Sequence, residues 1–229
     1  MNLLLVAHGT RDPAGAHVTE AVAAQVRRRL PDVQVVVAYA DVRGPTIASA
    51  LSTLPDGPCV AVPMFLAAGY HVRVDVPSQL LAAGRPDVRL ADTFGPDPAL
   101  VAVAVDRLAA AGHRAGDAVV LAVAGSSDPA AGADSAAAAR RLGRALGGPV
   151  ALGTVAAGGP SVSSVVARLL SRGAPRVAVA SWLLAPGLFQ RRLEDSGASV
   201  VAEPLGTHPA VAALVVARYL DVQRAARSA

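Results

Sequence analysis

The chain lacks the features that a membrane span, a disulfide framework or a nucleic-acid partner requires. No apolar run reaches the roughly 18 residues that a transmembrane helix needs. The single cysteine, Cys59, excludes an internal disulfide, and its apolar neighbours indicate a buried thiol. Aromatic residues make up only 3% of the chain. Proteins that bind single-stranded DNA or RNA usually do so with aromatic side chains interleaved with basic ones. The N-terminal residues do not resemble a signal peptide, so we expect a cytoplasmic protein without a nucleic-acid or membrane partner.

Lysine is also absent, and all 21 basic residues are arginine. Together with the abundance of Ala, Gly and Val, this indicates a genome-wide bias in composition. The net charge of +4 therefore needs no polyanionic macromolecule to explain it. A small anionic ligand is still compatible, because a few arginines near a cleft bind carboxylates through paired hydrogen bonds.

What the chain has in excess is apolar side chains, at 53% of all residues, which is enough for two cores of ordinary domain size. Short runs of Val, Ala and Leu alternate with longer segments of helical period, which is typical of parallel sheets. The predicted strands are 2–7, 33–40, 58–66, 88–91, 118–124, 149–155, 176–184 and 199–202. The predicted helices are 14–30, 45–54, 75–84, 97–112, 130–147, 160–172, 187–196 and 208–226. The continuous apolarity of the strands predicts helices on both faces of each sheet.

The sequence is duplicated, because Leu3–Pro13 recurs as Val119–Pro129 and further anchors follow at similar spacing. A repeat of this kind indicates two tandem modules of similar structure. We predict an α/β protein in which each module is a mostly parallel four-stranded sheet flanked by helices, with the active-site cleft between the modules. A glycine-containing linker near residue 115 predicts domains at 1–115 and 116–229.

His8, Asp41 and His71 have no counterpart in the second module. The aligned residues there are Ala124, Ala156 and Phe189. Each of the three follows a predicted strand, and the carboxyl ends of parallel strands form the ligand crevice of open α/β sheets. Two imidazoles and a carboxylate bind Fe²⁺, Co²⁺, Ni²⁺ or Zn²⁺ and leave coordination positions open. The alternative is structural, since strand-end histidines are often hydrogen-bonded and a second copy also loses residues for packing reasons.

The segments Leu5–Pro13, Ala40–Ile47 and Pro63–Pro77 resemble the class II chelatases, the family of sirohydrochlorin ferrochelatases and cobaltochelatases. The third segment is the most specific, and the resemblance extends over both halves, as in the long bacterial form. It implies ATP-independent insertion of a divalent metal into sirohydrochlorin, on the route to siroheme or to cobalamin. It also implies that His8 and His71 present the metal, and Asp41 falls where the family has an acidic residue, usually glutamate.

The residue types suit this chemistry. Insertion exchanges two pyrrole protons for the metal, and imidazole, with a pKa of about 6.5, both binds ions and accepts protons near neutral pH. We predict that His8 and His71 are the metal ligands and that Asp41 supplies compensating charge, so all three are catalytic. Iron is the preferred metal substrate, cobalt is the runner-up, nickel is also compatible, and no permanent cofactor is expected.

The acetate and propionate groups of the macrocycle need hydrogen-bond donors. Three arginines lie within three residues of a candidate ligand, and hydroxyl groups occupy matching turns in the two modules. The predicted substrate-binding residues are Thr10, Arg11, Arg43, Arg73, Ser126 and Ser127. A solvated helix start is the alternative role for the arginines.

Other functions remain open at this stage. Histidine phosphatases also use a strand-end histidine, but an arginine precedes it, whereas this chain has Ala7. Non-haem iron oxygenases use two histidines and a carboxylate, usually closely spaced on a β-barrel. A metal or tetrapyrrole carrier would share the ligands without turnover. A monomer is sufficient, because the tandem supplies two modules, and a homodimer is not excluded.

Overall fold

The computed structural model describes residues 1–55 and 57–228. The first half contains, in order, β1 (Asn2–Ala7), α1 (Pro13–Arg29), β2 (Val35–Tyr39), α2 (Ile47–Leu51), β3 (Cys59–Pro63), α3 (Val76–Ala82), β4 (Arg89–Leu90) and α4 (Pro98–Ala110). The second half contains β5 (Ala118–Val123), α5 (Pro129–Leu146), β6 (Val150–Thr154), α6 (Val162–Ser171), β7 (Val177–Trp182), α7 (Leu188–Glu194), β8 (Val200–Val201) and α8 (Pro209–Arg227). A π-helical turn, His71–Asp75, comes directly before α3. Within the described ranges, no helix combines the length and the apolar character that a bilayer span needs.

Each half forms one four-stranded parallel sheet. The strand orders are β2-β1-β3-β4 and β6-β5-β7-β8. In the first sheet Leu4 of β1 is in register with Val36 of β2 and Ala61 of β3. The predicted pair of duplicated parallel sheets is confirmed, and β1 is an inner strand between β2 and β3.

The first sheet is covered on both faces. All six residues of β1 are buried. Leu4 and Val6 pack against Ile47 of α2 and Val76 of α3 on one face. Alternation along the strand directs Leu3 to the opposite face, where it is also fully buried. This explains the continuous apolar runs from which the strands were predicted.

The compact units of the chain differ from the predicted domains 1–115 and 116–229. One unit is Met1–Phe94 with Thr207–Ala229, and the other is Gly95–Gly206. The last helix of the chain, α8, packs against α1 and β3 in the first unit, whereas α4 packs against α5 and β7 in the second. The boundary near 115 therefore follows the sequence repeat and not the packing, because tertiary contacts decide which sheet a connecting apolar helix covers.

Side-chain hydrogen bonds hold these two helices in their units. In the first unit Nε of Arg218 on α8 donates to the carbonyl oxygen of Thr93 at 3.0 Å. In the second, Nη2 of Arg107 on α4 donates to the carbonyl oxygen of Leu205 at 3.2 Å. Both bonds connect residues far apart in the sequence, so repeat spacing alone does not reveal them.

Four long helices share one way of starting. Each of α1, α4, α5 and α8 has a capping side chain followed by proline at the first helical position, where proline has no hydrogen bond to lose. The caps of α1, α4 and α5 are aspartates. In α8 the cap is His208, whose Nδ1 accepts from the backbone N–H of Ala210 at 3.2 Å. His208 is therefore a helix cap.

We predict that Asp128→Ala destabilises the second unit by about 1 kcal/mol, because the N-terminal N–H groups of α5 lose their side-chain acceptor. Urea unfolding measures the change as a lower midpoint. Arg140→Ala is the matched control, since Arg140 is an exposed residue of the same helix. Equal midpoints for the two variants would contradict the role given to this cap.

Candidate metal centre

The carboxyl ends of three neighbouring strands carry the residues that the sequence singles out. His8 directly follows β1, Asp41 follows β2 after one residue, and His71 begins the π-helical turn after β3. Because β1 lies between β2 and β3 in a parallel sheet, these ends meet at one edge.

His8 and His71 form a close pair. Their ring centroids are 4.4 Å apart and the rings meet edge to face, at 68°. Phe65 lies 6.2 Å from the His8 ring and 6.5 Å from the His71 ring, and Tyr70 lies 6.3 Å from His71. The two imidazoles are thus within reach of one ion, on a partly aromatic surface.

The surroundings of His8 disfavour protonation of its ring and lower its pKa. Part of the residue is open to solvent, yet desolvation by the neighbouring groups lowers the pKa of His8 below its ordinary value of 6.5, and the nearby His71 lowers it further. Asp41 and the backbone groups of His8 and Gly9 act in the opposite direction but do not reverse the shift. A neutral ring has a lone pair available for a metal, so this shift suits a ligand.

Asp75 is hydrogen-bonded to His71, and the sequence-based prediction missed this residue. Nδ1 of His71 lies 2.5 Å from Oδ2 of Asp75, one turn later in the chain. A partner four residues away is typical of side chains on one helical face. The spacing was visible in the sequence, but His71 was expected in a loop, where the spacing has no such meaning.

A close backbone contact joins the ends of β1 and β2. Gly9 has φ +100°, and a Cβ atom there would lie 2.2 Å from the carbonyl oxygen of Asp41. The backbone N–H of Asp41 donates to the carbonyl oxygen of His8 at 2.9 Å. Glycine is therefore needed at position 9 for the two loops to touch, and this contact sets where His8 leaves the sheet.

Asp41 does not join the histidines as a third ligand. Its Oδ1 accepts from the backbone N–H of Val42 at 2.7 Å, within a tight turn in which Val42 has φ +69° and Arg43 N donates to Asp41 O. Across residues 1–55 and 57–228 no three His, Cys, Asp or Glu side chains are grouped closely enough to hold an ion. Asp41 acts on His8 through its charge.

The three candidate arginines have different surroundings. The Arg43 guanidinium lies over the ring of Tyr39, 5.1 Å from its centroid, and its Nε is buried without a hydrogen-bond partner. Arg11 and Arg73 are exposed. Packing therefore explains much of the position of the Arg43 side chain. Arg11 and Arg73 are open to solvent, and each lies within three residues of a histidine in the sequence.

The candidate hydroxyls belong to a turn that occurs in both units. Oγ1 of Thr10 accepts from the backbone N–H of Asp12 at 3.1 Å, and Oγ of Ser126 accepts from Asp128 at 3.0 Å. Both hydroxyls therefore shape the turn before a helix, and the donor that each could offer to a ligand is its O–H group. Ser127 is exposed in the second unit.

The second unit keeps the backbone of this edge without the ligands. Gly125 has φ +92°, and a Cβ there would lie 2.1 Å from the carbonyl oxygen of Ala157. The backbone N–H of Ala156 donates to Ala124 at 2.9 Å, as Asp41 does to His8 in the first unit. Ala124 and Phe189 stand where the first unit has its histidines.

Comparison with known proteins gives a family match over most of the chain. The CbiX family model matches residues 2–111 and again 118–222. A protein from Methanococcoides burtonii described as sirohydrochlorin cobaltochelatase is 32% identical over 84 residues, which is 35% of this chain. The alignment spans 63% of the length of that relative.

Solved structures give the same fold. SirB from Bacillus subtilis with Fe³⁺ superposes with a TM-score of 0.83 at 21% identity, covering 96% of this chain and 94% of the other. SirB from B. subtilis subspecies spizizenii with cobalt gives 0.76 at 19% identity, covering 95% and 92%. A CbiX described as the terminal enzyme of siroheme biosynthesis in denitrifying bacteria gives 0.73 at 25% identity, covering 96% and 99%.

We predict that Gly9→Ala and Gly125→Ala separate stability from metal binding. Each introduces a Cβ at a positive φ against a carbonyl oxygen, so each should cost roughly 2 kcal/mol in urea unfolding. Only Gly9→Ala displaces the loop of Asp41 from His8, so only this variant should weaken Co²⁺ binding, by about tenfold or more. Equal Co²⁺ affinities, measured by calorimetry, would mean that this contact does not position the site.

The pKa of His8, followed by NMR of its ring protons, should lie below 6.5. Loss of His71 in His71→Ala should raise the pKa of His8, while Asp41→Asn should lower it further, because a charge that favours the protonated ring is removed. Asp92→Asn removes an exposed charge elsewhere in the first unit and is the control. A pKa of His8 above 6.5 in the wild type would contradict the desolvated environment described here.

Proposed function

Because this chain belongs to the CbiX family, we propose that it inserts a divalent metal ion into sirohydrochlorin. The observation that carries the proposal is the pair of histidine rings, 4.4 Å apart, one directly after β1 and the other on the π-helical turn that follows β3. The description of the M. burtonii relative as a sirohydrochlorin cobaltochelatase supports the same substrate.

His8 and His71 hold the incoming ion. Two neutral imidazoles bind iron, cobalt and nickel ions and leave most coordination positions to water or to the macrocycle nitrogens. As two metal–nitrogen bonds to the macrocycle form, the two pyrrole N–H groups lose their protons. The imidazole released from the metal accepts one of them, and solvent accepts the other.

Acidic side chains compensate the charge of the ion without enclosing it. Asp41 acts on His8 at a distance, since its Oδ1 is engaged by the backbone N–H of Val42. Asp75 acts through its hydrogen bond to His71. Neither needs to bind the metal directly, so the ion stays free to leave.

The macrocycle has an apolar ring and carboxylate arms, and both have counterparts near the histidines. Val42, Tyr70 and Val74 are exposed apolar residues close in sequence to Asp41 and His71, and Tyr70 is 59% exposed. We assign the flat face of the ring to these side chains. Arg11 and Arg73 are the candidates for its carboxylates, since arginine binds them through two parallel hydrogen bonds.

Iron is the proposed physiological metal, with cobalt the alternative. The ligand types do not separate the two ions, because imidazole suits both. The similar SirB structures contain Fe³⁺ in one case and cobalt in the other.

The test is metal insertion followed by the absorbance change of sirohydrochlorin under anaerobic conditions. Wild type should accelerate insertion of Fe²⁺ above the uncatalysed rate, and His8→Ala and His71→Ala should each lose about 100-fold or more. His113→Ala, outside the first unit, is the control and should keep the wild-type rate.

Two results would overturn this proposal. If wild type binds the pigment but gives no rate above background with Fe²⁺, Co²⁺ or Ni²⁺, the protein is a carrier. If insertion proceeds but does not depend on His8 or His71, the site is elsewhere. A higher rate with Co²⁺ than with Fe²⁺ would replace iron by cobalt and leave the rest intact.

A further inference from the structure

We propose that Asp75 is a positioning residue which fixes the tautomer and the orientation of His71, so that its Nε2 atom faces the metal. This inference rests on the proposed function only in naming the ion as a substrate. The hydrogen bond and the ring tautomer are properties of the protein itself and do not depend on that function.

The first step is the hydrogen bond itself. Nδ1 of His71 lies 2.5 Å from Oδ2 of Asp75, and both side chains are partly buried. An ionised carboxylate only accepts hydrogen bonds, so Nδ1 of a neutral His71 must carry the proton. Nε2 then carries the lone pair, and it is the only ring atom available to a metal.

The second step is the helical turn that carries both residues. His71–Asp75 is a π-helical turn, and the backbone N–H of Val76 donates to the carbonyl oxygen of His71 across five residues. Pro77 comes next, in the first turn of α3, where proline has no hydrogen bond to lose. His71 therefore lies on a short turn before α3, and its hydrogen bond to Asp75 spans that turn.

The third step is the contrast with His8. His8 follows the inner strand β1, and the backbone hydrogen bond from Asp41 to its carbonyl oxygen fixes the chain at that point. The carbonyl oxygen of His71 also accepts a backbone hydrogen bond, from Val76, but His71 lies on a short π-helical turn and not at the end of a strand. Phe65 and Tyr70 contact the His71 ring through their aromatic faces and edges, so the carboxylate of Asp75 supplies the directional restraint on this ring.

The second unit has no such pair. Phe189 stands where the first unit has His71, and four residues after it the second unit has Leu193. Leu193 is fully buried in the core, and Phe189 packs against the same cluster. The carboxylate is thus absent where the histidine is absent, and an apolar pair packs in its place.

The experiment uses the full chain with ¹⁵N-labelled histidine. Two-bond ¹H–¹⁵N correlation spectra report which ring nitrogen is protonated, and loss of the signals in His71→Ala assigns them. Wild type should show His71 protonated at Nδ1. Asp75→Ala should shift His71 towards protonation at Nε2, whereas Asp75→Asn should keep the Nδ1 proton, because its amide oxygen still accepts it.

Co²⁺ binding to the same proteins without the tetrapyrrole tests the consequence for the metal. Asp75→Ala should weaken binding about 10- to 100-fold, and Asp75→Asn should weaken it less. Asp92→Ala removes an exposed carboxylate of the same unit and should leave the affinity unchanged.

The proposal is overturned if Asp75→Ala keeps His71 protonated at Nδ1, or if its Co²⁺ affinity equals that of Asp92→Ala. These readouts need no turnover, so they separate this inference from the proposed activity. A tautomer shift with weaker Co²⁺ binding supports the role of Asp75 even in a protein that inserts no metal into sirohydrochlorin.

Discussion

The contact between the loops after β1 and β2 is the constraint on which the site depends. Parallel pairing brings the ends of β2, β1 and β3 to one edge, but strand order alone sets only the approximate location of the side chains. The absence of a Cβ at Gly9 allows the carbonyl oxygen of Asp41 to approach closely, and the Asp41 N–H then bonds to His8. The backbone therefore determines where His8 leaves the sheet before any ligand chemistry is involved.

The second unit separates what the fold needs from what the site needs. Gly125 makes the same close approach, to Ala157, and the same backbone hydrogen bond forms between Ala156 and Ala124. This edge is therefore stable without histidine or carboxylate side chains. The polar residues of the first unit are not required for the turn, and partly exposed imidazoles beside the 59% exposed Tyr70 contribute little to a core. Their exposure therefore fits the proposed binding role better than a structural one.

Sequence reasoning predicted the sheets and the meeting of His8 with His71, because strand ends in parallel sheets follow from hydrophobic pattern alone. The hydrogen bond from the backbone N–H of Val42 to Oδ1 of Asp41 was not predicted, since it depends on the local geometry of a turn and hydrophobic pattern does not report it. That turn includes a positive φ at Val42, which β-branched residues rarely adopt. The compact units divide the chain differently from the predicted domains, because only tertiary packing decides that α8 packs in the first unit and α4 in the second. The pairing of His71 with Asp75 could have been predicted from the sequence if a helix had been assigned at His71, because residues four apart then lie on one face.

The number of protein ligands decides whether such a site stores an ion or passes it on. Each added ligand deepens binding and must be released before the ion enters a macrocycle, so a closed four-ligand site would oppose transfer. Here two imidazoles approach each other from separate elements, the end of β1 and a π-helical turn. The carboxylates of Asp41 and Asp75 are engaged by a backbone N–H and by the His71 ring. In the proposed metal insertion, these carboxylates would compensate charge without adding a bond that must break, and this is the arrangement that transfer favours.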